Sequence, residues 1–276
     1  MKQSDDNRFI PMTSVNSNAG KEVGADLYCY TNQIVNLVMI GKPDDAGWVL
    51  IDTGMPGCGK EIEEAAYDRF GAGRKPLAIV LTHGHFDHVG NIVYLLEKWD
   101  VPVFAHPAEF PFLTGLRDYP EPDAGVEGGL LAKIASIYPY QAIDIKEKLM
   151  PLSWDGTLPF LPDWRWIPTP GHSPGQVAIF RQQDGVLLSA DAFITVRQDS
   201  FYKVLLQKKE VNGPPRYFTT DWHTAYLSVL KLRDLHPQVV IPGHGAVMEG
   251  DELASGLDHL VEYFGDFAKP DYGKFT

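Results

Sequence analysis

Two cysteines in 276 residues, Cys29 and Cys58, are too few for a disulfide framework and agree with a reducing, cytoplasmic setting. No apolar run approaches the ~20 residues of a membrane span. The polar start Met1-Lys2-Gln3-Ser4-Asp5-Asp6-Asn7-Arg8 has neither the apolar core nor the cleavage site of a signal peptide. Positive charge is also scarce, with 24 Lys and Arg against 36 Asp and Glu, a formal net charge of −12. No Lys/Arg-rich run builds a local basic track, so a nucleic acid is repelled and is not an expected partner. The expectation is a protein that acts on a small molecule, away from nucleic acid and membrane, with its oligomeric state unread.

What is present is globular composition, 44% hydrophobic and 22% charged. The expected organisation is a single α/β domain over residues 1–276, rich in loops because it holds 26 Gly and 21 Pro. Residues 26–30, 34–40 and 47–51 read as strands of a meander, being β-branched, aromatic and aliphatic between polar breaks. Apolar Ile62, Ala65, Ala66 and Phe70 share one helical face over 60–70. A buried strand over 77–81, a helix over 89–96 and a strand over 101–105 follow. Residues 107–151 are punctuated by proline, with a short helix expected over 130–137, and read as an insertion able to cover a cleft. Strands are then expected at 164–167, 176–181, 186–189 and 239–241, the second and third forming a hairpin. Asp221 is a plausible N-cap for a helix to Leu235, and a last helix spans about 251–267.

Between the strand at 77–81 and its helix lies Thr82-His83-Gly84-His85-Phe86-Asp87-His88, three imidazoles and a carboxylate in six residues. Histidine is the commonest metal ligand among side chains, and burying such a cluster without a metal would cost desolvation for no return. Loops at the carboxyl ends of strands are where α/β folds place ligands. Three later strands also end on a ligand-type residue: His172, Asp191 and His244. Two divalent ions ~3.5–4 Å apart need donors from several directions, which one loop cannot supply. Closed structural zinc sites favour four ligands, commonly with Cys. A set of His and Asp without Cys reads as catalytic, although a metal-binding interaction protein stays open as a non-enzymatic alternative.

In this order the motifs resemble the metallo-β-lactamase superfamily of hydrolases. The match comprises Ile51-Asp52-Thr53-Gly54, the His-x-His-x-Asp-His motif at 83–88, Thr169-Pro170-Gly171-His172, Ser189-Ala190-Asp191 and Pro242-Gly243-His244-Gly245. It covers roughly residues 25–265. The resemblance implies an αβ/βα four-layer sandwich of two mixed β-sheets flanked by helices. It also implies two divalent metal ions, His83, His85 and His172 on the first, Asp87, His88 and His244 on the second, and Asp191 between them. Asp52 would support a ligand imidazole from behind. Zinc is the first choice, with manganese or iron able to use the same donors. The implied activity is hydrolysis of an ester, thioester or lactone by a metal-bridging hydroxide, with Asp87 also catalytic, orienting the nucleophile or passing a proton.

Among branches of that family, the glyoxalase II-like thioesterases share the intact binuclear set. However, no Lys/Arg-rich segment near the C-terminus is present to hold glutathione carboxylates. Lactonases often carry tyrosine three residues after the bridging aspartate, where this chain has Ile194. A mononuclear iron dioxygenase of the same fold is the alternative enzyme, but would not need His88 and His244. His106, His236 and His259 read as surface or packing residues. His223, Tyr202 and Lys203 are weighed as substrate contacts against ordinary solvated positions.

Overall fold

The computed structural model describes residues 1–44, 47–127, 135–196, 205–207 and 209–276. The chain divides into two compact units, one of residues 1–119 and 139–162, the other of 120–138 and 163–276. Each carries a mixed sheet with helices packed on it, the element content expected of the αβ/βα class. Tyr202 and Lys203 lie outside the described residues, as does most of the helix expected over 130–137, whose described end, Ala135–Ile137, is a 3-10 turn.

In the first unit, β2 (Leu27–Asn32), β3 (Val35–Ile40) and β4 (Val49–Ile51) form the expected antiparallel meander, and β1 (Ala19–Gly24), a strand not expected, pairs antiparallel with β2. Three strands then add in parallel: β5 (Ala78–Val80), β6 (Val103–Ala105) and β7 (Leu149–Pro151). Their central strands are buried without alternation, as befits parallel strands covered on both faces. Helix α1 (Gly59–Phe70) buries Ile62, Ala66 and Phe70 against the sheet. It ends at Gly71, whose φ of 99° turns the chain while its N–H caps Tyr67 O at 2.8 Å. Trp48 stacks on Phe70 at 4.4 Å and meets Trp99 edge-on at 5.7 Å, tying β4 to two helices.

The expected helix over 89–96 is instead two helices, α2 (Phe86–Val89) and α3 (Ile92–Trp99). The break has a packing cause. Asn91 turns its side chain away, donating from Nδ2 to Thr53 O and Met55 O, both at 2.7 Å, and accepting from Cys58 N at 2.9 Å. The unit also includes α4 (Phe110–Leu113) and the short β8 (Thr157–Leu158).

In the second unit, β9 (Leu161–Pro168), β10 (Val177–Arg181) and β11 (Val186–Ala190) are antiparallel, the latter two forming the expected hairpin. β12 (Ile194–Val196) and β13 (Lys209–Asn212) pair separately. Helix α5 (Trp222–Arg233) begins at the expected cap, Asp221 accepting from Thr224 N at 2.9 Å. β14 (Val239–Pro242) lies parallel to β11 and antiparallel to β15 (Met248–Glu249). The final helical stretch is interrupted at Tyr263, giving α6 (Gly250–Glu262) and α7 (Phe264–Phe267). Leu187 and Val240 of the sheet, Val229 and Leu232 of α5, and Leu253 and Leu257 of α6 share one core. Among the described residues, no helix is long and apolar enough to cross a membrane.

Candidate metal centre

Strand β5 ends at Val80, and the loop beyond it leads into α2, so the whole His-x-His-x-Asp-His stretch is compressed into a loop and one helical turn. His83, His85, Asp87 and His88 are all buried, none more than 7% exposed. The His83 ring stands 4.7 Å from that of His85 at 88° and 4.1 Å from that of His88 at 45°. Such closely packed imidazoles repel one another if protonated, so the neutral, coordinating form is the one this loop suits.

The hydrogen bonds behind the rings fix which nitrogen is available. Asp52, in the left-handed region at φ 61° just after β4, is 4% exposed. It accepts from Thr82 N at Oδ1 (2.8 Å) and from Thr82 Oγ1 at Oδ2 (2.7 Å). His88 Nδ1 lies 2.8 Å from Asp52 Oδ2, and a carboxylate only accepts, so the hydrogen is on His88 Nδ1. With its own hydrogen given to Asp52, the Thr82 hydroxyl accepts from His83 Nδ1 at 3.1 Å. The Nε2 atoms of His83 and His88 are thereby left as lone-pair donors, the arrangement metal-ligating histidines use. The loop backbone is tied to the same strand, Thr53 N and Oγ1 both donating to His88 O at 2.7 and 3.0 Å.

The second unit repeats this logic. His172 Nδ1 lies 3.0 Å from Thr219 Oγ1, whose hydrogen goes to Pro215 O at 2.8 Å. The imidazole therefore donates from Nδ1 and keeps Nε2 for a ligand. Asp191 follows Ala190, which sits at φ 47° where the β11–β14 register shifts. An alanine in this region is strained by ~1–2 kcal/mol, a cost that turns the aspartate out of the strand direction. Asp191 Oδ2 then stands 3.4 Å from His172 Nε2 and 3.3 Å from His244 Nε2. His244 is held by its carbonyl, which accepts from Thr195 N at 3.1 Å.

The donor chemistry fits divalent metal. It consists of buried imidazoles, three of them with the rear nitrogen occupied, buried carboxylates and no thiolate. Among the described residues, the His and Asp groups able to hold a metal ion are drawn from these seven alone and include none of His106, His223, His236 or His259. His106 caps a 3-10 turn, its Nδ1 accepting from Ala108 N at 3.2 Å, and partial burial lowers its pKa. His259 packs on Tyr263 and Phe267. His223 lines a cavity of 410 Å³ with Trp222, Tyr226 and Glu262. Motif reading misses Thr219, because a threonine 47 residues from the imidazole it orients carries no local signal. Both cysteines are buried and free.

A family model described as the metallo-beta-lactamase superfamily matches residues 30–244. The chain is 46% identical over 254 residues to the "Probable metallo-hydrolase YflN" of Bacillus subtilis (strain 168), covering 92% of this chain and 96% of that relative. Among solved structures it is similar to TTHA1623 in a di-iron-bound form, with 28% identity, a TM-score of 0.52 and coverage of 78% of this chain and 89% of the other. A beta-lactamase domain protein from Burkholderia ambifaria, at 18% identity, shares the fold with a TM-score of 0.62 over 92% of this chain and 79% of its own.

Proposed function

Because the chain belongs to the metallo-β-lactamase superfamily and is a metal-dependent hydrolase, we propose that it holds two divalent ions and hydrolyses a small carboxylic ester or thioester. The observation that carries the reading is a cluster of buried donors in each unit, His83, His85, Asp87 and His88 in the first and His172, Asp191 and His244 in the second. Asp191 is the residue proposed to serve both ions, in keeping with its nearly equal distances to His172 and His244.

A metal pair in such a site supplies Lewis acidity and a water acidified toward neutrality. The chain's own residues do the rest. Asp52, Thr82 and Thr219 keep three ligand imidazoles in one tautomer and orientation. Asp87, buried in the first turn of α2, is assigned the proton transfer, accepting at its carboxylate and returning the proton to the leaving group. All seven candidate donors are buried, and charges held away from bulk water would act more strongly on a substrate carbonyl.

Zinc is the metal proposed first, since nitrogen and oxygen donors without thiolate suit it. Iron is the competing assignment, favoured by the di-iron-bound form of TTHA1623. The thioester is preferred to a lactone because Ile194, three residues after Asp191, is buried in β12 and offers no hydroxyl to the site. A mononuclear oxygenase is disfavoured by Asp52, whose carboxylate orients His88, a ligand that such an enzyme would not require.

The test is initial rates of the metal-loaded protein against thioesters, esters, lactones, phosphodiesters and a β-lactam. Chelator-sensitive turnover of thioesters or esters supports the proposal. Oxygen consumption without hydrolysis of any panel member would replace it.

A further inference from the structure

Glu109 is fully buried, with 0% of its surface exposed, and belongs to none of the metal-binding motifs. It follows β6 in a 3-10 turn, at Pro107–Glu109. A buried carboxylate needs donors to repay its desolvation, and two are visible. Gly84 N donates to Glu109 Oε2 at 2.9 Å, and the Tyr119 hydroxyl donates to the same oxygen. The Gly84 N–H is shared, lying 3.0 Å from Tyr119 Oη as well. Burial first, and then the Glu109 charge, hold the Tyr119 phenol well above its ordinary pKa, so its hydrogen stays in place.

Gly84 is the residue between His83 and His85. A Cβ there would lie 2.6 Å from Tyr119 Oη and 3.1 Å from Leu113 Cδ2, so the loop is pressed directly on this pair. The Tyr119 ring in turn stands 4.5 Å from the His85 imidazole and stacks on Phe112 at 3.9 Å. One backbone amide and one ring face of the His-x-His turn are thus gripped by two side chains from the segment read from sequence as an insertion.

We propose that Glu109 and Tyr119 are positioning residues, which set the His83–Gly84–His85 turn so that its two imidazoles present their donor atoms to a metal ion. The proposal rests on the metal-binding reading of those histidines. Partners behind metal ligands typically change affinity by about 10–100-fold when lost, and here the partner acts on the backbone between two ligands instead of on a ring nitrogen.

Three variants separate the roles. Tyr119→Phe keeps the ring against His85 and removes the hydroxyl. Glu109→Gln keeps an acceptor oxygen for Gly84 and Tyr119 while removing the charge. Glu109→Leu removes the acceptor and leaves the Gly84 amide without its carboxylate. Metal affinity is read by competition with a chromophoric chelator, using zinc, and ligand geometry by the visible absorption of the cobalt(II)-substituted protein. The melting temperature of the metal-free form is recorded alongside. Tyr119→Phe and Glu109→Leu are expected to weaken zinc binding by about tenfold or more and to alter the cobalt spectrum, with Glu109→Gln restoring most of both. If all three variants bind zinc within twofold of the wild type and give its cobalt spectrum, whatever their melting temperatures, the pair is only structural. If the wild type itself binds no metal, the underlying reading fails first and this inference with it.

Discussion

Asp52 Oδ2 and His88 Nδ1 lie 2.8 Å apart across 36 residues of sequence, both buried, and the same oxygen receives the hydroxyl of Thr82. One carboxylate at the end of β4 therefore sets the tautomer of His88 directly and that of His83 through Thr82. Asp52→Asn would present an amide that can also donate, and would loosen both rings. The expected result is a loss of about 10–100-fold in metal affinity or turnover, measured by chelator competition and by kcat. An unchanged affinity would remove Asp52 from the account.

Thr219 does for His172 in the second unit what Thr82 does for His83 in the first. Thr219→Val keeps the shape and deletes the acceptor, and also leaves Pro215 O without its hydroxyl donor. Metal affinity should fall by about tenfold or more, while Thr219→Ser should retain most of it. Equal affinities for Val and Ser variants would show that the hydroxyl does not act on His172.

Gly90, between α2 and α3, has no room for a side chain. A Cβ at this position would lie 2.5 Å from both Gly54 O and Pro56 N, which are backbone atoms that cannot swing away. Gly90→Ala should therefore cost at least the ~1–3 kcal/mol of an overpacked core, seen as a lower denaturation midpoint. A midpoint equal to the wild type would mean that the 54–56 loop yields easily.

Cys29 tests the packing of β2 against alkaline pH. Burial pushes its thiol from 9.0 up to about 12. The unfolded chain ionises first, so this group favours the folded state fully below pH 9.0, and its contribution is lost as pH rises toward about 12. Urea midpoints measured across that window should decline less steeply in Cys29→Ala than in the wild type. Parallel declines would show that the thiol is reached by solvent.

The candidate donors stand out in the sequence because the His-x-His-x-Asp-His stretch is local and because each later candidate follows a strand with its own Gly, Pro or Ser context. The central strands are equally plain, since burial on both faces makes them continuous apolar runs. What escapes is whatever depends on distant partners. β1 is Ala-Gly-Lys-Glu-Val-Gly, mostly exposed, and is a strand only because it pairs with β2. The break between α2 and α3 comes from Asn91, whose side chain is held by Thr53, Met55 and Cys58, which helical periodicity does not record. Glu109 and Tyr119 lie 25 and 35 residues from the amide they hold, in a proline-punctuated segment with no periodic signal.

Metal content of the purified protein, determined by elemental analysis with hydrolysis assayed on the same sample, tests the central claim most directly. The account predicts about two divalent ions per chain, loss of activity on chelation and its return on adding metal back. One iron per chain with no hydrolysis, or no metal at all in an active enzyme, would contradict it.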